Sequence, residues 1–283
     1  MILRDTIVEY SSSTDWVPWF FGGDDHAGDV CFDEKLLLED IAWIKRNNAR
    51  WIHMGDKVNA TTFDDKRYEH RNLDPQYQGL EPDKALEALN EDHVERYAPI
   101  AHLCEGAIVG NHCRTLQQRH HIDMHFKFLQ RLIPDKNWRS TGRHRLDLGY
   151  RSFLRVRFVR GKHVSTMLFW LWHGDCTPMM RQTRMSKLAR KANDYVGVDL
   201  FATGHWHDRL FWGDSSRITA TKRGRLKLRT ATRYLCMTGT YLKGMMENHD
   251  GYQDKCAYPA CELGGLRLLI NPETGRIKEA DVH

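Results

Sequence analysis

The stretch Val198-Asp199-Leu200-Phe201-Ala202-Thr203-Gly204-His205-Trp206-His207 is the part of the sequence that best predicts the fold. Its first six residues form a short, mostly apolar run, which predicts a buried strand. The strand stops at a glycine, and two histidines one residue apart follow. Two imidazoles placed in this way can point into one space, where a pair of metal ions could bind. This pattern is weak evidence alone, so its meaning depends on what the other strands contribute.

Two earlier segments predict strands that end in the same way. The apolar run at 17–21 is followed by Asp24 and His26, and the run at 51–54 is followed by Asp56. Apolar residues at helical spacing lie between the two runs, which predicts a right-handed crossover between adjacent parallel strands. Sites in open α/β sheets lie at the carboxyl ends of strands, so we expect these three side chains to meet at one sheet edge.

Two further strands are predicted with polar residues at their ends. The short run at 107–109 leads to Asn111 and His112. Apolar and basic residues then alternate over 154–160, which is the period of a strand with one wet face, and the return strand of this hairpin stops at His173. Five predicted strands therefore deliver polar side chains at their ends.

The chemistry of this set points to a metal site. Aspartate, asparagine and histidine together supply oxygen and nitrogen donors that suit Mn²⁺, Fe or Zn²⁺ rather than a thiolate-bound cluster. Taken singly, each aspartate or asparagine is more often a turn or cap residue than a ligand. The inference therefore rests on the whole series.

Five motif blocks stand in order at the predicted strand ends: Asp24-x-His26, Gly55-Asp56, Gly110-Asn111-His112, His173 and Gly204-His205-x-His207. This series resembles the calcineurin-like metallophosphoesterase family, whose pattern is DxH, GD, GNH, H and GHxH. One such block occurs by chance in many proteins, whereas the ordered series is specific. The resemblance implies a four-layer α/β/β/α sandwich of two mixed sheets. We expect residues 1–283 to form this single domain, with a helical insertion at about 60–98.

The resemblance also implies a dinuclear metal site. Two divalent ions are expected, with Mn²⁺ as the first choice and Fe, Zn²⁺, Ni²⁺ or Mg²⁺ as alternatives. By family analogy, Asp24, His26 and His207 hold one ion, Asn111, His173 and His205 hold the other, and Asp56 bridges them. Two cations about 3.5–4 Å apart can clamp a phosphoryl oxygen and acidify a water for in-line attack. The implied activity is hydrolysis of a phosphate ester.

His112 resembles the non-ligand histidine of the family, which stabilises the transition state or protonates the leaving alkoxide. Many relatives carry acids where this chain has Cys113 and Asn59. Asn59 can hydrogen-bond the imidazole, but it does not raise the imidazole pKa as a carboxylate would. These departures argue against a protein Ser/Thr phosphatase. Three other residues close to the motifs, Trp206, His53 and Cys113, are predicted to be packed structural side chains.

Charge is unevenly distributed along the chain. Residues 1–98 contain 11 Lys and Arg against 21 Asp and Glu, whereas residues 99–283 contain 31 against 16. Basic side chains give sequence-independent affinity for nucleic-acid phosphates, although a solvated strand face is an equally good interpretation of such a segment. The candidate substrate contacts are Asn59, Arg155, Arg157, Arg181 and Arg184, the last two in or near a predicted basic helix.

These features predict a metal-dependent phosphodiesterase that acts on DNA or RNA. The metal motifs are shared with the nuclease subunits of double-strand-break repair complexes and with small stand-alone members from phages and bacteria. The alternatives are a phosphomonoesterase or cyclic-nucleotide phosphodiesterase of small substrates, and a non-catalytic scaffold. All seven ligand positions are filled, which argues against the scaffold.

Composition predicts the cellular setting. The seven cysteines are odd in number and show no repeated CxxC spacing, so we expect reduced thiols and a cytoplasmic protein. The first residues lack the apolar core of a signal peptide. No apolar run approaches the roughly 20 residues of a membrane span, so no membrane association is expected.

Overall fold

Two mixed β-sheets face each other in the computed structural model, which describes residues 1–59, 68–175, 180–220, 228–244 and 262–280. The strands are β1 (Ile2–Glu9), β2 (Val17–Gly22), β3 (Arg50–His53), β4 (Cys104–Ala107), β5 (Arg151–Arg160), β6 (His163–Trp172), β7 (Leu200–Thr203), β8 (Leu210–Ala220), β9 (Leu228–Met237), β10 (Leu266–Asn271) and β11 (Arg276–Glu279). The helices are α1 (Glu34–Asn47), α2 (Pro82–Tyr97), α3 (Asn111–His120), α4 (Met124–Leu132), α5 (Trp138–Thr141) and α6 (Arg181–Asn193). The predicted fold class is confirmed.

The strand order makes the predicted motif strands neighbours within each sheet. One sheet has the order β1-β5-β6-β7-β9-β8, and the other has the order β11-β10-β2-β3-β4. Strands β2, β3 and β4 are parallel neighbours, as are β6 and β7. Because parallel strands end at the same edge of a sheet, each sheet presents its motif residues along one edge.

Aromatic side chains pack between the two sheets. Trp19 and Phe21 of β2 meet Phe169 of β6, and the rings of Trp19 and Phe169 lie edge to face with centroids 5.3 Å apart. All three side chains are fully buried. Each such aromatic pair contributes about 0.5–1.5 kcal/mol beyond the burial of its apolar area. This layer fixes the sheets against each other just below the strand ends.

Helices cover the outer face of each sheet. The helix predicted between the first two motif strands is confirmed as α1. The Asp33 side chain caps it by accepting a hydrogen bond from the Leu36 amide. Its buried stripe, which includes Leu37 and Ile44, packs on the five-stranded sheet. On the six-stranded sheet, α6 buries Leu188 together with its neighbours on the same face. Helix α2 lies within the segment predicted to be a helical insertion, while residues 60–67 lie outside the described residues.

Three local predictions were wrong or incomplete. Strand β4 covers Cys104–Ala107 rather than 107–109. Helix α3 was not predicted, because its sequence buries few apolar residues and its N-cap, Gly110, has no side chain to signal a helix start. Strand β1 was also missed, since its apolar residues fall on both faces and Leu3 and Ile7 remain exposed.

Among the helices in the described part of the chain, none has the length and apolar character needed to cross a bilayer. The four cysteines within the same residues, Cys31, Cys104, Cys113 and Cys236, are buried.

Candidate metal centre

The ends of five elements meet at one edge of the sandwich and carry all seven predicted metal ligands. Asp24 and His26 follow β2, Asp56 follows β3, Asn111 opens α3, His173 follows β6, and His205 and His207 follow β7. These residues include two clusters, and within each cluster the ligand atoms lie within 4.8 Å of one another. The first cluster is Asp24, Asp56, His173 and His205, and the second cluster is Asp24, His26 and His207.

His173 is the centre of the first cluster. Its Nδ1 lies 2.8 Å from the Met54 carbonyl oxygen, to which it donates, so Nε2 is the nitrogen left to face the site. That Nε2 lies 3.1 Å from Asp56 Oδ2 and 2.9 Å from Asn111 Oδ1. The His205 ring lies beside it, with centroids 5.0 Å apart. Asn111 therefore joins the carboxylates and imidazoles, as the sequence predicts.

The second cluster holds two imidazole nitrogens and a carboxylate. His26 Nε2 lies 3.3 Å from His207 Nε2, and His207 Nε2 lies 3.5 Å from Asp24 Oδ1. Asp24 Oδ1 is buried and has no hydrogen-bond partner among the described residues. A buried oxygen of this kind costs about 1–3 kcal/mol unless it is paired.

The backbone of this region is strained in a specific way. Five predicted ligands adopt left-handed φ angles: Asp24 (54°), His26 (49°), Asp56 (47°), His205 (64°) and His207 (50°). Such conformations cost about 1–3 kcal/mol each and persist where the surrounding structure dictates them. Backbone hydrogen bonds supply part of that support. The Asp24 amide donates to the Gly55 carbonyl oxygen at 2.8 Å, and the His26 amide donates to the Asp56 carbonyl oxygen at 3.1 Å.

Two motif glycines are required by close packing. A Cβ on Gly55 would collide with the His173 ring, and Gly55 also has a left-handed φ of 113°. A Cβ on Gly110 would collide with the Asp56 carboxylate. The glycines of the GD and GNH blocks therefore leave room for ligand side chains from neighbouring strands.

Burial and charge shift the pKa values of the site in opposite directions. Burial by itself would raise the pKa of Asp56, but the facing imidazoles of His173 and His112 hold it well below its usual range. For His173, burial opposes the charged form, yet Asp56 outweighs it and raises the pKa to about 9. Burial lowers the pKa of His205 to about 4. The site thus holds Asp56 ionised and places imidazoles around it.

This arrangement fits divalent metal ions. A cation in the second cluster would pair Asp24 Oδ1 and separate two imidazole nitrogens that now face each other at 3.3 Å. In the first cluster, the outward Nε2 of His173 and the Asp56 carboxylate converge from two different strands. Carboxylate, amide and imidazole donors in this number are typical of Mn²⁺, Fe and Zn²⁺ sites.

His112 lies beside the two clusters. It is the second residue of α3 and is buried, with its ring edge to face against His26 at a centroid distance of 4.9 Å. The His112 amide donates to Asp56 Oδ1 at 3.0 Å, so the first turn of α3 is oriented by the site carboxylate. The neighbouring Cys113 is buried, which raises the pKa of its thiol to about 12 and keeps it protonated near neutral pH.

The predicted substrate contacts lie at different distances from the clusters. Asn59 donates through its side-chain amide to Asp29 Oδ2 at 2.8 Å. Arg155 forms a double hydrogen bond with Asp5 and pairs across the hairpin with Leu168, five residues before His173. At 3.3 Å per residue, this places Arg155 about 16 Å from the strand end. Arg157 lies two residues farther along the same strand.

Two arginines of α6, Arg181 and Arg184, lie closer to the site. Arg181 forms two hydrogen bonds with Asp208, at 2.6 and 3.1 Å, and Arg184 lies 3.4 Å from the same carboxylate. Asp208 directly follows His207. The basic helix is therefore attached to the loop that carries two predicted ligands.

Sequence reasoning missed several buried polar residues near the site. Asp25, between Asp24 and His26, contacts His53 and His93, and all three are fully buried. His53 was expected to be packed, and it is; the DDH sequence was the only signal for Asp25. Trp206 is also packed as predicted, with its indole N–H donating to the Asp175 carbonyl oxygen at 3.0 Å.

No protein-family model matches this sequence, and no curated protein is significantly similar to it. Among solved structures, a metallophosphoesterase from Sphaerobacter thermophilus is 13% identical, with alignment over 95% of this chain and 89% of that one and a TM-score of 0.38. A conserved uncharacterised protein from Streptococcus pneumoniae, described as a predicted phosphoesterase, is 11% identical over 94% of this chain and 98% of that one, with a TM-score of 0.32. Haemophilus influenzae NAD nucleotidase is 10% identical over 94% of this chain and 49% of that one, with a TM-score of 0.41. At such low identities, only the site residues of this chain can carry a functional conclusion.

Metal binding should stabilise the folded protein through these clusters. After removal of metal with EDTA, Mn²⁺ at about 100 times its dissociation constant should raise the free energy of unfolding by about 2.7 kcal/mol. The Asp56→Asn variant should lose most of this gain. Asp40→Asn is the matched control, because Asp40 is an equally buried carboxylate on α1, bonded to Tyr241 and Arg267. Urea unfolding with and without Mn²⁺ measures the effect, and an unchanged gain in Asp56→Asn would contradict the assignment.

Proposed function

We propose that this protein is a metal-dependent phosphodiesterase that hydrolyses DNA or RNA. The observation that carries the proposal is the convergence of two donor clusters that share Asp24, at the edge where five elements end. In the proposed site, Asp24, His26 and His207 hold one ion, Asn111, His173 and His205 hold the other, and Asp56 bridges. Divalent ions held there would supply positive charge at a phosphoryl oxygen and acidify a water.

The residues of the chain then have separate roles. The left-handed loops hold the donors in place before substrate arrives, so little reorganisation is needed during reaction. The first turn of α3 is fixed at the site, because the His112 amide donates to Asp56 Oδ1 at 3.0 Å. His112, adjacent to His26 and Asp56, protonates the leaving oxygen as the ester bond breaks.

The nucleic-acid part of the proposal rests on charge near the site. Residues 114–233 contain 26 Lys and Arg against 8 Asp and Glu. Within them, Arg181 and Arg184 adjoin the His207 loop, and the side chain of Arg181 is 49% exposed. A chain of phosphates entering the site from this side would meet these arginines.

Small phosphate esters are the second candidate substrate class. The observation in favour is that Asp208 already pairs with Arg181 and Arg184, which reduces the positive charge they offer to a long polyanion. A phosphomonoester or cyclic nucleotide needs only the metal clusters and His112.

Hydrolysis of bis-p-nitrophenyl phosphate in Mn²⁺ tests the reaction class. The wild-type protein should turn over this diester and lose activity in EDTA. Asp56→Asn and His205→Ala should reduce turnover to background, because each removes a proposed ligand, while the Asp40→Asn control should stay active. Undiminished turnover in either ligand variant would refute a metal-dependent reaction at this site.

His112→Ala tests the proposed proton donor. General acid catalysis contributes about 10²–10⁴-fold to rate, and it matters most for leaving groups that are poor without a proton. The variant should therefore hydrolyse an alkyl diester far more slowly than wild type, with a smaller loss on the p-nitrophenyl ester. Comparison of kcat for the two esters gives the answer. Equal losses on both would remove the acid role.

The salt dependence of binding tests the nucleic-acid substrate. In Asp56→Asn, which should bind without cleaving, affinity for a labelled oligonucleotide should fall steeply as salt rises. Arg181→Gln should weaken binding and reduce the log–log salt slope by about one. Arg160→Gln is the matched control, since Arg160 is also paired with a carboxylate, Glu273, but lies at the hairpin end of β5, about 30 Å along the strand from the site.

A panel of substrates separates the two substrate classes. Wild-type protein in Mn²⁺ is compared on single-stranded DNA, duplex DNA, RNA, a cyclic dinucleotide and p-nitrophenyl phosphate. Cleavage of a polynucleotide supports the proposal. Turnover of only the cyclic dinucleotide or the monoester, without oligonucleotide binding at low salt, would assign the protein to small substrates.

A further inference from the structure

A third group of titratable side chains lies directly beneath the two clusters. One oxygen of Asp25, Oδ2, contacts three groups: His53 Nε2 at 2.8 Å, His93 Nε2 at 2.9 Å and the Tyr97 hydroxyl at 3.0 Å. All four side chains are at least 98% buried. We name this group the Asp25 hub.

In the hub, His53 and Tyr97 donate hydrogen bonds to Asp25, whereas Asp25 Oδ1 and both ring nitrogens of His93 have no hydrogen-bond partner within the described residues. The hydrogen bonds of His53 argue against a third metal site here. The Gly55 amide donates to His53 Nδ1 at 3.1 Å, so Nδ1 carries no proton. The proton of the neutral imidazole is then on Nε2, which donates to Asp25. A nitrogen that carries a proton cannot bind a cation, and exchanging the tautomer would set two N–H groups against each other at Nδ1. The Tyr97 hydroxyl is a second donor to the same oxygen.

The hub joins the two loops that carry the proposed metal ligands. Asp25 lies between Asp24 and His26 in the chain, and His53 is the last residue of β3, three residues before Asp56. The path from Asp25 through the His53 ring to the Gly55 amide therefore links the DxH loop to the GD loop.

Helix α2 is the third element tied into the hub. It supplies His93 and Tyr97, one turn apart on its buried face. The Tyr97 ring also stacks on Trp51 of β3, with centroids 5.0 Å apart. Helix α2 thereby contacts residues of both loops that carry the proposed ligands.

We propose that Asp25 is a positioning residue, through which His53 of β3 and Tyr97 of α2 hold the DxH and GD loops at the separation that divalent ions require. The proposal rests on the function proposed above. The reason for such a device is the strain in these loops, where Asp24, His26 and Asp56 all have left-handed backbones. If the hub were disrupted, these loops would relax, and Asp24, His26 and Asp56 would no longer converge on the metal positions.

A carboxylate suits this position better than its isosteres. Asp25 Oδ2 accepts from two donors and contacts a third group. An asparagine would offer these groups either its neutral amide oxygen, a weaker acceptor, or its NH₂ group, which cannot accept. Asp25→Asn therefore keeps the size of the side chain while disturbing the hub.

The test measures Mn²⁺ affinity directly, by isothermal titration calorimetry on metal-free protein. Outer-shell partners of metal ligands usually contribute about 10–100-fold to metal affinity, and Asp25→Asn should weaken Mn²⁺ binding by such a factor. Tyr97→Phe removes one donor with little change in shape, so it should weaken binding severalfold. It also provides the test if Asp25→Asn does not fold.

Tyr77→Phe is the matched control for Tyr97→Phe. Tyr77 is also buried, and its hydroxyl donates to a carboxylate of α2, Asp92, at 2.5 Å. Both variants should lower stability to urea in the metal-free state, whereas only Tyr97→Phe should weaken Mn²⁺ binding. Wild-type Mn²⁺ affinity in Tyr97→Phe, or equal losses in the two tyrosine variants, would overturn the positioning role. Failure of the wild-type protein to bind Mn²⁺ at all would instead overturn the proposed function, and this inference with it.

Discussion

Three carboxylates, Asp24, Asp25 and Asp56, are buried together at one corner of the protein. Removing an ionised carboxylate from water costs several kcal/mol, and repulsion among the three adds to this cost. Much of the structure around them supplies positive charge or hydrogen-bond donors. Asp25 is surrounded by two imidazoles and a phenol. Asp24 and Asp56 accept backbone N–H groups from His205 and His112, and their remaining oxygens face imidazoles.

The surroundings of Asp25 differ from those of Asp24 and Asp56 in a way that matters for function. In the hub around Asp25, Oδ2 accepts from His53 and Tyr97, so the chain itself supplies both donors in a buried site. At the metal clusters, two imidazole nitrogens face each other, and Asp24 Oδ1, like Asp25 Oδ1, has no hydrogen-bond partner within the described residues. A divalent cation completes such a set, whereas a rearranged side chain would have to abandon a left-handed loop held by backbone hydrogen bonds. In the proposed site, Asp25 therefore supports the loops and the adjacent Asp24 binds metal.

The sequence could predict the parts of the structure that have a regular pattern. Helix α1 was predictable because its cap at Asp33 and its apolar stripe agree, and the buried strands were predictable from short apolar runs. Helix α3 was not, since its first turn is built from site residues and glycine rather than from a capping side chain. The seven candidate ligands could be named from motif order, and the structure brings them together. The Asp25 hub could not, because it depends on His93 and Tyr97, whose approach to Asp25 follows only from the packing of α2.

The basic character of the second half of the chain is only partly available to a ligand. Arg155 is paired with Asp5 on β1, a strand that the sequence did not predict, and β1 pairs in parallel with β5. Arg181 and Arg184 share Asp208. An arginine already paired with a carboxylate offers a phosphate less attraction than a net-charge count suggests, because the phosphate must compete with that carboxylate. The pairing also fixes the guanidinium in place, which lowers the entropy cost of a second contact. Arg181, half exposed and anchored beside His207, is therefore a better site for recognising a specific phosphate than for attracting a polyanion from a distance.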